Sequence, residues 1–582
     1  MPLAPFAWKD RPALIEHLFP VQKISTESFK EQMAGSGKTL TALGSYWKGR
    51  KPLILNKACV LGSLMPTSDD SLRDLEVFEL LMGMDDRSLA VRNGHIKPQD
   101  IARRLPGLET ADWFAADPHC VLPAQTPFDI HDFTAEIEKK GQIKQVVPKL
   151  KWKELVHLDD RLKLEAQALP FDTYFANVNK AKRCEELGDG AHAHIWSEVN
   201  DHLGTNAQSF PKLVEQMGIA RFGRRPRVAD VFSGSGQIPF EAARLGCDVY
   251  ASDLNPIACM LTWGAFNIVG ASPEKRAELE IDQQALAAKV KKEIDALKIE
   301  DDGNGWRAKI YLYCVEVRCP ESGWMVPLIP SLIISQPRSG RKNNVVAELT
   351  PDPIEKRYKI EIKQWVKTSD LPNYGNGTVQ KGEMVHSPDG ITIFRTKIST
   401  LRGDYKEDGV NKNRLRRWKK SDFRPHPDDL LQERLYCVQW MKPKPKGKLF
   451  DYEFRAVTDD DCAREVIVNN YVSSHLSEWQ AKGYVSDMVI ESGTKTDEPI
   501  RTRGWTHWHH LFNPRQLLIS GISAKHLKTF NTISYIQSLN SSSRLCGWEP
   551  LSGGGGAVIT VFFNQALNTN YNYGCRASSS LF

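Results

Sequence analysis

The heptapeptide Asp-Val-Phe-Ser-Gly-Ser-Gly at Asp230–Gly236 is the segment best suited to chemistry. Its glycines let the backbone approach a ligand, and an acid, Asp253, follows 17 residues after Gly236. Arg227–Phe232 (RVADVF) has the pattern of a strand, Ser233–Gly236 of a tight turn, Gln237–Leu245 (QIPFEAARL) of a helix, and Cys247–Ser252 (CDVYAS) of a second strand that ends in Asp253. Such a unit implies a parallel pair with the turn at a helix N-terminus, where free N–H groups await a ligand. Asp253 then stands where a carboxylate accepts hydrogen bonds from ribose hydroxyls. Two cofactors compete for this crevice. A dinucleotide wants a third glycine at position 239, which is Pro239. S-adenosylmethionine has ribose, adenine and a methionine tail but no pyrophosphate, and needs only the turn and the acid. The spacing therefore favours the sulfonium cofactor over a nicotinamide dinucleotide. A turn that merely closes an α/β unit is the competing reading.

Other strings carry less. AGSGKT at Ala34–Thr39 resembles the end of a phosphate-binding loop, but the full pattern puts its first glycine on Gln32, and the preceding ISTESFKEQ is no strand. Nucleotide hydrolysis is not expected there. Lys412–Arg424 holds seven basic residues against one acid, and Lys442, Lys444, Lys446 and Lys448 follow. Arg414, Arg416, Arg417, Lys419 and Lys420 are candidates to neutralise phosphates, with Trp418 and Phe423 to stack on bases. A solvated insertion loop is the alternative. His507, His509 and His510 have no cysteine near them in sequence to complete a metal set, so they read as packing and hydrogen-bonding groups.

These candidates need a scaffold. A chain of 582 residues makes three or four folding units, and 41% apolar with 25% charged residues describes a packed, soluble protein. No apolar run reaches about 18 residues, and the N-terminus (MPLAPFAWKD) lacks a basic region before an apolar one, so neither membrane insertion nor export is expected. Eleven cysteines without a C-x-x-C pair suit a reducing cytoplasm, and a net charge of +6 is mild for this length. Helical spacing marks Leu53–Leu64 and Leu72–Met82, helical patches Trp196–Leu203 and Phe210–Met217, and a long Ala/Lys/Glu-rich helix Pro273–Ile299. Strands such as Lys309–Val317 and Tyr358–Ile362 mark a β-rich insertion, helix patterns return over 450–540, and Gly553–Gly556 forms a flexible tract.

Taken together, DVFSGSG, IPFEAARLGC and ASDLNP (Ala251–Pro256) resemble the cofactor half of the prokaryotic adenine-specific DNA methylases that carry a zinc ribbon. Tyr46–Pro66 is similar to the N-terminal domain of unknown function in that family, and CPESGWMVPL (Cys319–Leu328), TRGWTHWHHLFNPRQLL (Thr502–Leu518) and FNQALNTNYNYG (Phe563–Gly574) resemble further segments of it. The resemblance implies a class I S-adenosylmethionine-dependent methyltransferase core, an α/β Rossmann-like fold, with a helical N-terminal domain and a β-rich insertion. It also implies that Asp230, Phe232, Ser233, Gly234, Ser235 and Gly236 line the methionine and adenosine side, that Asp253 binds the ribose, and that Asn255 and Pro256 shape the adenine wall. GRKPL at Gly49–Leu53 is similar to a stretch that packs beside the methionine carboxylate in many amino-methyltransferases, although a plain helix start at Pro52 explains it equally.

The domain plan that follows has a helical N-terminal domain at 1–110, an irregular and helical connector at 111–220 and the cofactor-binding β-α-β half at 221–275. A helix plus a degenerate zinc-ribbon-like β insertion is expected at 276–400, a basic insertion and helices at 401–500, and a return to the methyltransferase core, incomplete at the C-terminus, at 501–582. Two departures from the family qualify its function. The zinc-knuckle positions hold Cys319, Ser322, His386 and Asp389, a set poor in thiolates, so no zinc is expected. The Asp/Asn-Pro-Pro-Tyr/Phe motif that orients and stacks a flipped adenine is missing, since the chain contains no Pro-Pro dipeptide. The expected function is N6-adenine methylation of double-stranded DNA, of a restriction or phage-defence kind. This chain would hold the cofactor half, and a second chain or a missing segment would supply the base pocket. A non-catalytic DNA-binding subunit with a vestigial methyltransferase fold is the alternative.

Overall fold

The computed structural model describes residues 5–34, 47, 49–139, 142–187, 194–337, 343–445, 449–551, 555–561 and 566–580. Most of AGSGKT, Tyr46, Lys446, Lys448, Gly553 and the start of FNQALN lie outside the described residues. The chain divides into two compact units, Met1–Ala271 and Ser272–Phe582.

In the first unit the principal helices are α1 (Val21–Gln32), α2 (Leu53–Leu64), α3 (Ser71–Met82), α4 (Trp196–Leu203), α5 (Phe210–Phe222), α6 (Gln237–Arg244) and α7 (Pro256–Gly264). Local chemistry sets their ends. Asp70 accepts a hydrogen bond from Arg73 N at the start of α3, and Gly83, in the left-handed region, ends it. The start of α2 is held from a distance: Glu31 accepts from Leu53 N at 2.8 Å and from Ile54 N at 3.1 Å. Burial pushes the Glu31 carboxyl up to about 7. Leu61, Met65, Phe78, Leu81, Val199, Leu213, Met217, Ala242 and Leu245 share one core, and each fully buried large side chain contributes about 1.5–3 kcal/mol.

The connector, expected to be irregular and helical, also carries strands. β1 (Phe114–Asp117) pairs antiparallel with β4 (Lys149–Trp152), and β2 (Ala135–Lys139) with β3 (Gln142–Val146). β5 (Arg227–Asp230) and β6 (Asp248–Ala251) then form the parallel pair the sequence pattern predicts, in register from Arg227↔Asp248 to Asp230↔Ala251. Val228 and Val249 turn to the helical core, while Ala229 and Tyr250 are exposed on the other face. Among the described residues neither strand has another partner.

The second unit is built on an eight-stranded mixed sheet. Its strands are β7 (Arg307–Arg318), β8 (Met325–Leu328), β9 (Ile333–Ser335), β10 (Asn344–Asp352), β11 (Arg357–Val366), β12 (Leu431–Pro443), β13 (Phe450–Ala456) and β14 (Asn572–Arg576). The order is β13-β12-β7-β8-β11-β10-β9, and β14 also pairs with β7. Helices α8 (Pro273–Ala296), α9 (Asp459–Ala481) and α10 (Pro514–His526) pack together through Leu286, Val290, Val468, Val472, Trp479, Leu518 and Ile522. Residues 501–582, assigned above to a return to the methyltransferase core, lie in this unit: β14 runs antiparallel to β7, and Tyr573 stacks on Tyr313 at 5.3 Å.

Candidate cofactor-binding site

The turn after β5 is closed by backbone hydrogen bonds that continue the ladder beyond the strand ends. Ser252 N donates to Asp230 O at 3.0 Å, Ser233 N to Ser252 O at 3.0 Å and Gly236 N to Ser233 O at 2.8 Å. Gly236 is the N-cap of α6, with φ +79° and no side-chain cap. A Cβ at Gly236 would lie 2.8 Å from Thr262 Cα, and one at Gly234 (φ +53°) 2.8 Å from Trp47 Nε1. Both positions therefore require glycine by backbone conformation and by space.

Asp253 sits just past β6 with both carboxylate oxygens engaged, Oδ1 by Asn255 N at 2.8 Å and Oδ2 by Gly234 N at 3.0 Å. These donors, Asn255 first, hold its carboxyl below the usual range, so it is charged at neutral pH and its remaining lone pairs can accept more hydrogen bonds. Asp230 Oδ1 accepts from Phe232 N at 3.1 Å, whereas Asp230 Oδ2 is buried and has no hydrogen-bond partner among the described residues. A buried acceptor left unmade costs about 1–3 kcal/mol, so a donor from a water or a ligand would be favoured at this atom. Ser233 and Ser235 are buried: Ser233 Oγ meets Thr262 Oγ1 at 3.1 Å, and Ser235 Oγ bonds the Gln237 side chain. Phe232 is 81% exposed, an open apolar wall beside the turn. Asn255 caps α7 through Ile257 N at 2.9 Å with Pro256 in its first turn, so both have a helix-starting role whatever they line.

This arrangement fits S-adenosylmethionine: a carboxylate with spare acceptor capacity at the second strand end, an unmet buried acceptor at the first, a glycine turn and an exposed aromatic. The structure adds residues that the glycine motif does not contain. Trp47 lies against Gly234, and Leu53, at the end of GRKPL, is buried with Phe240 and Ala265, so the N-terminal segment packs on the helix that follows the turn. Apart from the resemblance of Gly49–Leu53 noted above, nothing local in the sequence announces that contact.

The basic segment is arranged differently from the expectation. Trp418 is 6% exposed and packs edge-on to Trp505 and His510, and Phe423 is buried in the α8–α9–α10 core. Neither ring offers an open stacking face. Arg416 is fixed between Asp429, at 2.6 Å, and Asp422, at 2.5 Å, and Arg417 bonds the Ile500 carbonyl. Lys420 pairs with Asp487 at 2.7 Å, both ends largely exposed. Arg414, Lys419 and Arg424 are exposed and make no ion pair among the described residues, so they are cations of this segment left for an external anion. His509 Nε2 donates to Asp422 O at 3.1 Å and His510 Nε2 to Lys419 O at 3.0 Å, tying the segment down.

Of the knuckle positions, His386 and Ser322 come together, and Cys319 is buried in the same cluster as Tyr358. His386 Nε2 meets Ser322 Oγ at 3.2 Å and its Nδ1 meets Tyr358 OH at 3.0 Å, while Asp389 caps the turn at Ile391 N and Thr392 N. No group of three or more His, Cys, Asp or Glu able to hold a metal occurs among the described residues.

Residues 18–81 match the family described as a protein of unknown function, DUF1156. No curated protein and no solved structure matches the chain. No helix among the described residues is long and apolar enough to cross a membrane.

Proposed function

We propose that this chain binds S-adenosylmethionine at the β5–α6–β6 turn and serves N6-adenine DNA methylation as the cofactor-holding part of a methylase. The observation that carries the reading is the pairing of Asp253, charged and holding Gly234 N, with the buried Asp230 Oδ2, unmet among the described residues, across one glycine turn. When bound, the cofactor supplies a methyl group activated by its sulfonium centre. The chain's own part is positional. Asp253 would accept the ribose hydroxyls, Asp230 would accept a donor of the methionine end, the N-terminus of α6 would face the cofactor, and Phe232 would cover its apolar side. The class I methyltransferase fold, the restriction or phage-defence setting and the double-stranded DNA substrate rest on the resemblance of the motifs. Among the described residues β5–β6 has unpaired edges and one exposed face, which leaves room for a further element beside the site, since parallel sheets are normally covered on both faces. All eleven cysteines are free thiols, in keeping with a cytoplasmic setting.

The test is transfer of labelled methyl groups from S-adenosylmethionine to unmethylated duplex DNA, by this chain alone and with a chain carrying a Pro-Pro-aromatic motif. Transfer that requires the added chain supports the cofactor-half reading. Robust transfer by the 582 residues alone would place the base pocket within them, and no transfer or cofactor binding under either condition refutes the proposal.

A further inference from the structure

The second unit contains a cavity of about 450 Å3 lined by residues of β7, β11, β12, α9 and the loop that leads into β12. Three guanidinium groups reach it from three elements: Arg357 on β11, Arg434 on β12 and Arg424 on the loop. Their compensation is incomplete. Arg357 and Arg434 share one buried carboxylate, Glu316, with Arg357 Nε at 3.3 Å and Arg434 Nη1 at 2.9 Å from its Oε1. Arg434 Nη1 also donates to the Tyr358 carbonyl at 2.8 Å, which leaves its Nε and Nη2 without a protein partner among the described residues. Arg424 is exposed and pairs with no carboxylate among the described residues.

The two acids on the wall do not balance this charge, because each is already paired. Glu433 is gripped by Arg544 through Nε at 2.6 Å and Nη2 at 2.7 Å, and Glu465 by Arg515 Nη2 at 2.6 Å. Two positive charges in excess therefore face one recess, with donors in the planar geometry that suits a phosphate. The volume is that of a small-molecule site rather than of an ion site.

We propose that this cavity binds a small phosphorylated molecule of mononucleotide size, its phosphate dianion taken by Arg357, Arg424 and Arg434. The site is separate from the glycine turn and does not rest on the methylation reading. Calorimetric titration of the full chain with pyrophosphate and with ADP tests it, using wild type, Arg424→Gln and Arg424→Glu, an exposed position whose replacement leaves the fold intact. Saturable binding of either probe at one per chain is expected, weakened about tenfold or more by Arg424→Glu and less by Arg424→Gln. Failure of both probes to bind, equal affinity in all three proteins, or Arg424-dependent binding of a DNA duplex with no response to either probe would each overturn the proposal.

Discussion

His509 and His510 make the second unit acid-sensitive in a way that can be assigned to single side chains. Burial holds His509 down at about 4 and His510 at about 3, against an ordinary value near 6.5. The folded chain thus binds fewer protons at these sites than the unfolded chain. Their contribution is complete above about pH 6.5 and is lost as pH falls from there toward 4 for His509 and 3 for His510. At pH 5 each has about 1.5 units of its window behind it, and at 1.36 kcal/mol per unit each costs about 2 kcal/mol, or about 4 kcal/mol together. That is a large share of a domain's usual 5–15 kcal/mol. In His509→Gln the amide can still donate to Asp422 O but does not titrate, so the variant should lose only about 2 kcal/mol between pH 7.5 and 5. Hydrogen exchange of peptides spanning 505–523, corrected for intrinsic exchange rates, reads the opening free energy of α10 directly. Equal losses in wild type and His509→Gln would show that His509 is not held neutral by its burial.

Three further outcomes follow from particular side chains. Gly236→Ala forces a left-handed φ on a β-carbon, about 1–2 kcal/mol before its 2.8 Å approach to Thr262 Cα, so cofactor binding should be abolished and thermal unfolding of the first unit should begin earlier. Glu31→Ala removes the acceptor of Leu53 N and Ile54 N and should cost about 0.5–2 kcal/mol, read as weaker exchange protection in the first turn of α2. Joint replacement of Arg414, Lys419 and Lys420 by Gln should flatten the dependence of log K on log salt for duplex binding, by about 0.9 for each phosphate no longer neutralised. Arg416→Gln should leave that slope alone and lower stability instead, because its charge is committed to Asp422 and Asp429.

What the sequence disclosed was local. The limits of α2 could be read from apolar spacing, and the β5–α6–β6 order from a glycine turn between two short apolar runs, because neighbouring residues decide both. What it hid depended on residues far along the chain. Trp418 looked like a stacking residue in a basic loop, but Trp505 and His510, about ninety positions later, bury it. Arg416 looked free because Asp429 lies thirteen positions on, across an irregular loop. Trp47 and Gly234 share a site through folding alone. Residues 572–576 carry no mark that their partner is β7 rather than β5. The unmet Asp230 Oδ2 could not be read from sequence, since it depends on which donors the fold brings to that atom.

The central claim is that the turn from Asp230 to Gly236 and Asp253 together hold S-adenosylmethionine. Its most direct measurement is calorimetric titration of the full chain with that cofactor, in wild type and in Asp253→Ala. The account predicts saturable binding at one per chain in wild type, and a loss of about 1.5–3 kcal/mol in the variant, roughly 10- to 150-fold in Kd, as hydrogen bonds to a charged acceptor disappear. Absence of binding in wild type, or equal affinity in both proteins, would contradict it.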